Sequence, residues 1–420
     1  MNGLGIALAS DSAVTSGGKV LNTSEKVFEL AGKHKVAILS SGRADLIGHP
    51  WEVLFSAWSE TLVAPLATMI DYRESLYKFI KSRFSASNAL SSSEIDYFSR
   101  SYWGEDQGVF NVALKIMEDV VLPFYEKQLS PEDLELFIEA EWETDFRQRM
   151  SKLLNKDIVK QVSNKFDEVI EARKGKYLPA DDISYSQAMI WVENYWAHWE
   201  ELTPSDNFTA WPLIPNWDSL VKNLSAVHLV HPDYSGDSYI AFVGYGANDL
   251  FPSASGVFIH GAFSGFMIRR SEGVMEPSSE PRHVFFGQDD AIVALTQGED
   301  HLLTRTAVET TRKTLSSIYE QLSDELGESA KRTREYVKQS LEADQVSDEM
   351  RKAGNERRKK PFTKAIAMSP ILDLAEFAAQ LVGVQAASAA MTQENPSVGG
   401  FVDVAVITHR RGFEWIRHKH

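Results

Sequence analysis

The fold is constrained most by two strand-like segments at opposite ends of the chain, Gly3–Gly42 and Ser397–Ile416. In the first segment, bulky residues alternate with glycine and alanine up to Asp11, which sends the bulky side chains to one face. The bulky positions are Leu4, Ile6 and Leu8. This alternation predicts a half-buried strand that ends at Asp11.

Two more strand patterns follow Asp11. In Glu25–Leu30, Lys26 shares one side of the strand with two core-type residues, so it is a candidate for an inward-facing charge. The run Lys35–Ser41 is short and mostly apolar, and it ends at Gly42. Because glycine permits a positive φ and leaves the backbone N–H accessible, this stop can serve as an oxyanion donor.

In order and spacing, these residues resemble the proteasome β-subunit family and its bacterial relatives. The matching elements are the A-S-D-S strand end, the lysine of E-K-V-F and the S-S-G turn. The last segment is similar to the final two strands of that family, and Tyr239–Pro252 resembles a central strand and turn. The resemblance implies an α+β fold, a four-layer αββα N-terminal-nucleophile (Ntn) hydrolase sandwich with a large helical insertion.

The same resemblance implies catalytic roles for Lys26, Asp11 and Gly42. In this family an N-terminal hydroxyl or thiol residue is the nucleophile, and its own α-amine is the base. Lys26 would lower the pKa of the nucleophile, Asp11 would orient the lysine, and the Gly42 N–H would bind the oxyanion. Ser41 would support that turn.

A second group of supporting residues lies before the last two strands. The resemblance places Asn395 and Ser397 at the family's supporting polar position, beside a supporting turn at Gly399. The family usually has an aspartate where this chain has Asn395, so this residue departs from the pattern.

Each catalytic candidate also has a purely structural interpretation. Asp11 followed by Ser12 is a common turn-opening pair. Lys26 could extend its ammonium group to solvent from a sheet edge. Gly42 could be an ordinary turn glycine. The order and spacing of the three residues favour common ancestry with the family and leave present activity open.

The start of the sequence departs from the family. Only ten residues precede Asp11, too few for two strands and a tight turn. Residue 1 is Met, which cannot act as this nucleophile, and the chain contains no cysteine. Two explanations stay open: the true start lies upstream of Met1, or the protein is a non-catalytic relative.

Composition narrows the classes of partner. The net charge of −16 argues against non-specific nucleic-acid binding. No apolar run reaches the roughly 20 residues of a membrane span, and no signal sequence is evident, which predicts a cytoplasmic protein with no membrane partner.

Three C-terminal histidines lack ligand-like neighbours, so no metal and no cofactor are predicted. The resemblance implies a peptide or small amide substrate and a homo-oligomer.

The chain is longer than one usual domain. We expect residues 1–50 and 224–420 to form the sandwich, with a mostly helical insertion at 51–223 and strands resuming near Val227. The insertion is rich in aromatic residues at helical spacing, which is more typical of core than of a groove. A charged helical stretch is predicted at about 300–350, and Leu372–Ala387 is predicted to be a helix on the final sheet.

The sequence therefore supports two functions. The first is an Ntn amide or peptide hydrolase whose nucleophile lies outside the 420 residues. The second is a non-catalytic protein of the same fold that assembles or binds a partner through the helical insertion.

Overall fold

We describe the protein from a computed structural model. The residues that it describes are 1–16, 19–21, 25–30, 32–84, 108–130, 152–154, 156–202, 214, 216–233, 237–263, 266–285, 287–298, 303–311, 313–314, 317, 343–393 and 398–419. All statements below concern these residues.

Both ends of the chain meet in one antiparallel sheet. Strand β1 (Ile6–Asp11) pairs with β11 (Val402–Thr408), which pairs in turn with β12 (Gly412–Arg417). The register sets Ile6 opposite Ile407 and Asp11 opposite Val402. The terminal strand patterns that stand out in the sequence are therefore partners in space.

A second antiparallel sheet has five strands in the order β10-β9-β8-β5-β4. These are β4 (Val27–Glu29), β5 (Lys35–Ser41), β8 (Ser238–Tyr245), β9 (Ser253–Phe263) and β10 (Phe266–Met275). Two short hairpins accompany the sheets: β2 (Val14–Ser16) with β3 (Lys19–Leu21), and β6 (Asp45–Leu46) with β7 (His49–Pro50).

Helices lie between these strand groups and at their ends. Between β7 and β8 they are α1 (Trp51–Ser59), α2 (Met69–Phe84), α3 (Val109–Val120), α4 (Leu122–Glu126), α5 (Lys156–Lys176), α6 (Tyr185–Leu202) and α7 (Trp217–Val230). After β10 they are α8 (Asp290–Gln297), α9 (Ala343–Gly354), a π-helical turn (Asn355–Lys359), α10 (Lys360–Met368) and α11 (Ile371–Thr392).

The elements stack in four layers. Alternate residues of β1 point to opposite faces: Ile6 and Leu8 pack against the five-stranded sheet, and Ala7 packs under α11. On the far face of the five-stranded sheet, a large cluster joins Phe242 to residues of α1 and α2 such as Trp58. The order is helix, sheet, sheet, helix, and the fold is α+β with antiparallel sheets, as predicted.

Several sequence predictions can be compared with these elements. The expectation that strands resume near Val227 is wrong, because Val227 lies inside α7 and the next strand begins at Ser238. Helix α7 also runs across the expected boundary at residues 223 and 224. In the aromatic run of α6, Tyr195 is fully buried, and this agrees with a core role. Most of the stretch predicted as helix at 300–350 lies outside the described residues.

Helix α11 confirms the helix predicted at Leu372–Ala387. Within the described part of the chain, it is also the one helix long and apolar enough to span a membrane. One of its faces packs on β1 and β11 through Ala375 and Ala379, which is typical of a core helix.

Candidate functional site

The candidate site is built around an ion pair between the two sheets. Asp11 ends β1 of the three-stranded sheet, and Lys26 directly precedes β4 of the five-stranded sheet. Lys26 Nζ donates a hydrogen bond to Asp11 Oδ1 at 2.7 Å. The side chains are 21% and 11% exposed for Lys26 and Asp11, so the pair is largely screened from solvent.

The second carboxylate oxygen of Asp11 accepts hydrogen bonds from two backbone N–H groups. Asp11 Oδ2 accepts hydrogen bonds from the N–H groups of Ala13 at 3.2 Å and Gly399 at 3.0 Å. The Gly399 carbonyl in return accepts the N–H groups of Ser12 and Ala13. The fully buried Ser12 adds its Oγ as acceptor for the N–H of Phe401. The carboxylate therefore ties the end of β1 to the entry of β11.

The turn at Ser41–Gly42 lies beside this pair. The Lys26 carbonyl accepts the N–H of Ser40 at 2.9 Å, which fixes the lysine backbone to the end of β5. Gly42 has φ +82°, and a Cβ at this position would lie 1.9 Å from the Asp237 carbonyl oxygen. Only glycine fits this turn, because it combines a left-handed backbone with close backbone approach.

Polar contacts behind the turn hold it in place. Ser238 Oγ donates to the Arg43 carbonyl at 2.9 Å and accepts the indole N–H of Trp51 at 2.8 Å. Next to Ser238, Asp237 pairs with His260 Nδ1 at 2.7 Å. The turn is thus supported by buried side chains of β8 and α1 and by the hydrogen bond between Asp237 and His260.

A cavity of about 760 Å³ opens beside Asp11, Lys26 and the Ser41–Gly42 turn. The cavity is lined by β1, by side chains that lie between the two sheets, by α11, and by the segment between β10 and α8. The wall residues between the sheets include Leu39, Val243, Ala254 and Met275, and those of α11 include Leu374, Phe377, Ala378, Leu381 and Gln385. The cavity is mostly apolar.

The segment between β10 and α8 contributes the imidazole ring of His283 to the cavity lining. Burial, with smaller contributions from Lys359 and the N-terminal ammonium, lowers the pKa of His283 to about 4. His283 therefore lines the cavity as a neutral ring at pH 7. Among the described residues, no group of three or more His, Asp or Glu side chains is placed to hold a metal ion.

The structure brings most of the predicted site residues together. Asp11, Lys26, Ser41 and Gly42 line one cavity, and Gly399 contacts Asp11 directly. Asn395 and Ser397 lie outside the described residues.

Sequence reasoning missed other residues of the site. It treated Ser12 as a turn residue, although the side chain is buried and bonded to the β11 entry. It also missed the cavity walls formed by His283 and by Gln385, whose Oε1 accepts the N–H of Ala291 at 3.0 Å. The one signal available in the sequence was a polar residue within an otherwise apolar helical segment, Gln385. The structure shows that this side chain is only 4% exposed.

Comparison with protein-family models, with curated proteins and with solved structures gives no match for this chain.

Proposed function

We propose that the chain is an Ntn-hydrolase-fold protein whose cavity beside Asp11 and Lys26 is the site of amide or peptide bond hydrolysis. The nucleophile is a threonine or serine upstream of Met1. The observation that carries this proposal is the ion pair of Lys26 with Asp11, which opens on a cavity next to the positive-φ Gly42.

The proposed chemistry follows from the charges at the site. An ammonium group held by a carboxylate favours the anionic form of a hydroxyl placed near it, and so lowers the pKa of that hydroxyl. The Asp11 carboxylate orients the Lys26 ammonium group. A backbone N–H at Gly42 would then stabilise the oxyanion as the hydroxyl attacks the amide carbon. The free α-amine of the same residue would accept the hydroxyl proton and pass it to the leaving amine.

The layer order supports the fold part of the proposal. Two antiparallel sheets pack face to face between two helical layers, and both chain ends contribute to the smaller sheet. The homo-oligomer and the peptide or small amide substrate are further parts of this proposal, carried by the resemblance alone. The cytoplasmic location is also part of it and rests on the sequence pattern.

A second function is favoured by the bonding of Asp11. Its carboxylate already accepts bonds from Lys26, Ala13 and Gly399. These contacts would equally make it a structural tie in a non-catalytic protein that binds a partner through the same cavity.

The test is intact mass and N-terminal sequencing of the protein from its native source, followed by assays on short peptide amides and N-acyl amides. An N-terminal threonine or serine with hydrolysis that Lys26→Ala abolishes, and Lys26→Arg partly restores, supports the hydrolase. Hydrolysis that Lys26→Ala leaves unchanged overturns this site. A native protein that begins at Met1 and shows no hydrolysis favours the binding protein.

A further inference from the structure

One side of α11 forms an apolar wall of the cavity and ends in a polar residue. The residues of this helix that line the cavity recur at spacings of three and four, which places them in one stripe. They are Leu374, Phe377, Ala378, Leu381, Val382 and Gln385. Because a helix rises about 1.5 Å per residue, this α11 stripe is roughly 16 Å long. Its side chains are hydrocarbon up to the last one, which is an amide.

Aromatic rings from three elements meet on the cavity wall. His283 and Phe285 lie in the segment between β10 and α8, Phe362 lies in α10 and Phe377 in α11. The centroid of the His283 ring is 5.3 Å from that of Phe285 and 4.9 Å from that of Phe362. The Phe362 and Phe377 centroids are 5.5 Å apart. We call these four rings the ring cluster; all four are partly exposed and together offer apolar surface to a ligand.

Gln385 keeps one half of its amide for the cavity. The residue is 4% exposed, and its Oε1 accepts the N–H of Ala291 at 3.0 Å. That bond identifies the oxygen end of the amide, because an N–H group needs an acceptor. The hydrogen bonding of Gln385 within the described residues involves Oε1 alone. Since a buried donor without a partner is unfavourable, the N–H groups of Nε2 are placed for an acceptor atom in the cavity.

Contacts at the two ends of the α11 stripe show how it is oriented in the cavity. The first residue of α11 lies beside Gly5, with its Cδ1 3.3 Å from the position of a Cβ there. The segment that bonds to Gln385 passes Ser41, because a Cβ on Gly287 would lie 3.9 Å from Ser41 Cβ. The stripe therefore begins at the start of β1, and its amide end is the one nearer the Ser41–Gly42 turn.

The charged side chains that line the cavity do not favour an anion. The carboxylates are those of Asp11, Glu25, Glu52 and Asp289. The cationic side chains are those of Lys26, Arg43 and Arg282. Lys26 already bonds to Asp11, and burial lowers the pKa of His283 to about 4, so this ring adds no positive charge at pH 7. A free carboxylate would meet more negative than positive charge, whereas an uncharged carbonyl group would not.

We propose that the cavity binds an N-acyl amide whose acyl chain is long and apolar. The chain lies along the α11 stripe toward the ring cluster, and the acyl carbonyl oxygen accepts a hydrogen bond from Gln385 Nε2. The rest of the ligand extends toward the Ser41–Gly42 turn. The cavity volume of about 760 Å³ is typical of small-molecule sites. This inference rests on the proposed function only for cleavage of a second amide bond beyond the acyl carbonyl; binding does not depend on it.

The first experiment is isothermal titration of the full chain at pH 7.5 with three probes. They are N-decanoylglycine methylamide, N-acetylglycine methylamide and decanoate. We expect the decanoyl amide to bind at least about a hundredfold more tightly than the acetyl amide, because the longer chain buries more methylene groups. It should also bind more tightly than decanoate, which has the same hydrocarbon tail and a negative charge.

Two variants locate the ligand. Gln385→Glu keeps an oxygen for the Ala291 N–H and replaces the Nε2 donor by an acceptor, so the affinity for the decanoyl amide should fall about tenfold. Ala378→Phe adds a ring to the α11 stripe and should weaken binding of the same probe by a similar factor. The matched control is Leu372→Phe, at a residue of the same helix that is 58% exposed and outside the cavity lining. Its affinity should equal that of the parent protein.

Binding and hydrolysis are read separately. Equal affinity for the decanoyl and acetyl amides, tighter binding of decanoate, or parent-like binding by both cavity variants overturns the inference. If Gln385→Glu does not fold by circular dichroism, Ala378→Phe and the probe comparison still decide. On protein from the native source, hydrolysis would release methylamine and N-decanoylglycine. Binding without methylamine release keeps the inference and argues against the proposed function; equal release from both amides keeps the proposed function and overturns the inference.

Discussion

Lys26 and Asp11 join the two sheets of the protein through one hydrogen-bonded ion pair, with Nζ 2.7 Å from Oδ1. Asp11 is the last residue of β1, and Lys26 directly precedes the first residue of β4. The two strands belong to different sheets. The pair therefore couples the entry of the five-stranded sheet to the terminal sheet at the edge of the cavity.

We expect the loss of Asp11 to cost more stability than the loss of Lys26. Asp11→Ala removes the acceptor of three hydrogen bonds, and we expect about 2–4 kcal/mol of destabilisation; Lys26→Met should cost about 1–2 kcal/mol. Urea unfolding of both variants and of the double variant gives the coupling energy.

The control for this pair is the exposed ion pair of Lys165 with Glu168, at 2.9 Å. Lys165→Met should leave stability nearly unchanged, because exposed pairs contribute little. Equal costs for Lys26→Met and Lys165→Met would show that the pair between the sheets is no stronger than a surface contact.

The pairing of these two residues could be anticipated from the sequence in part. The strand that ends at Asp11 is confirmed by β1, but Leu4, expected on its bulky face, lies in a turn and is 63% exposed. Lys26, expected inside a strand, directly precedes β4. The partner of the second carboxylate oxygen, Gly399, was anticipated by resemblance only. A contact across 388 residues leaves no periodic trace in a single sequence.

Other parts of the fold could not be predicted from the sequence, for a physical reason. Val227 has the apolar neighbours of a strand, yet it lies in α7, because short apolar runs fit a buried helix as well as a strand. Arg282, whose backbone exchanges two hydrogen bonds with Met1, lies in a segment with no regular secondary structure. Only tertiary packing brings it next to Met1.

We expect Gly42→Ala to be strongly destabilising. The substitution adds a Cβ 1.9 Å from the Asp237 carbonyl oxygen, at a residue with φ +82°. The left-handed backbone alone costs roughly 1–2 kcal/mol for a non-glycine residue, and the clash adds to it, so we expect a total of about 3 kcal/mol or more. Chemical denaturation measures it.

Gly48 offers a matched control in the same region. Its φ is +75°, but a Cβ there meets nothing within 4 Å. Gly48→Ala should therefore show the backbone cost alone, about 1 kcal/mol. Similar losses in the two variants would mean that the close approach at Gly42 relaxes without penalty.

The helical layer and the five-stranded sheet should unfold together. Phe242 of β8 is fully buried and meets Trp58 of α1 edge to face, with ring centroids 5.8 Å apart. Phe242→Ala should cost about 3–5 kcal/mol and shift the tryptophan fluorescence and far-UV transitions by the same amount. Phe401→Ala, at a residue 42% exposed, is the control with a small effect. Separate transitions would indicate that the helices of 51–223 form an independent unit.

His228 should make the protein less stable in mild acid. The ring is buried in α7, its Nδ1–H donates to the Leu224 carbonyl, and its Nε2 has no partner among the described residues. Burial lowers its pKa to about 3, and Arg173 and, more weakly, His260 add to the shift. Below pH 6.5 the unfolded chain binds a proton that the folded chain does not, so stability falls as pH decreases from 7 toward 3. This one group should remove about 2 kcal/mol at pH 5.

The measurement is urea unfolding at pH 5, 6, 7 and 8 for the parent protein and for His228→Leu. At pH 8 the comparison gives the packing cost of the substitution, because the histidine is neutral in both states. Between pH 5 and 7 the variant should lose the parent's slope, which averages about 0.7 proton over this range. If both proteins lose stability equally between pH 7 and pH 5, the acid sensitivity arises elsewhere and the buried ring is protonated without unfolding the helix.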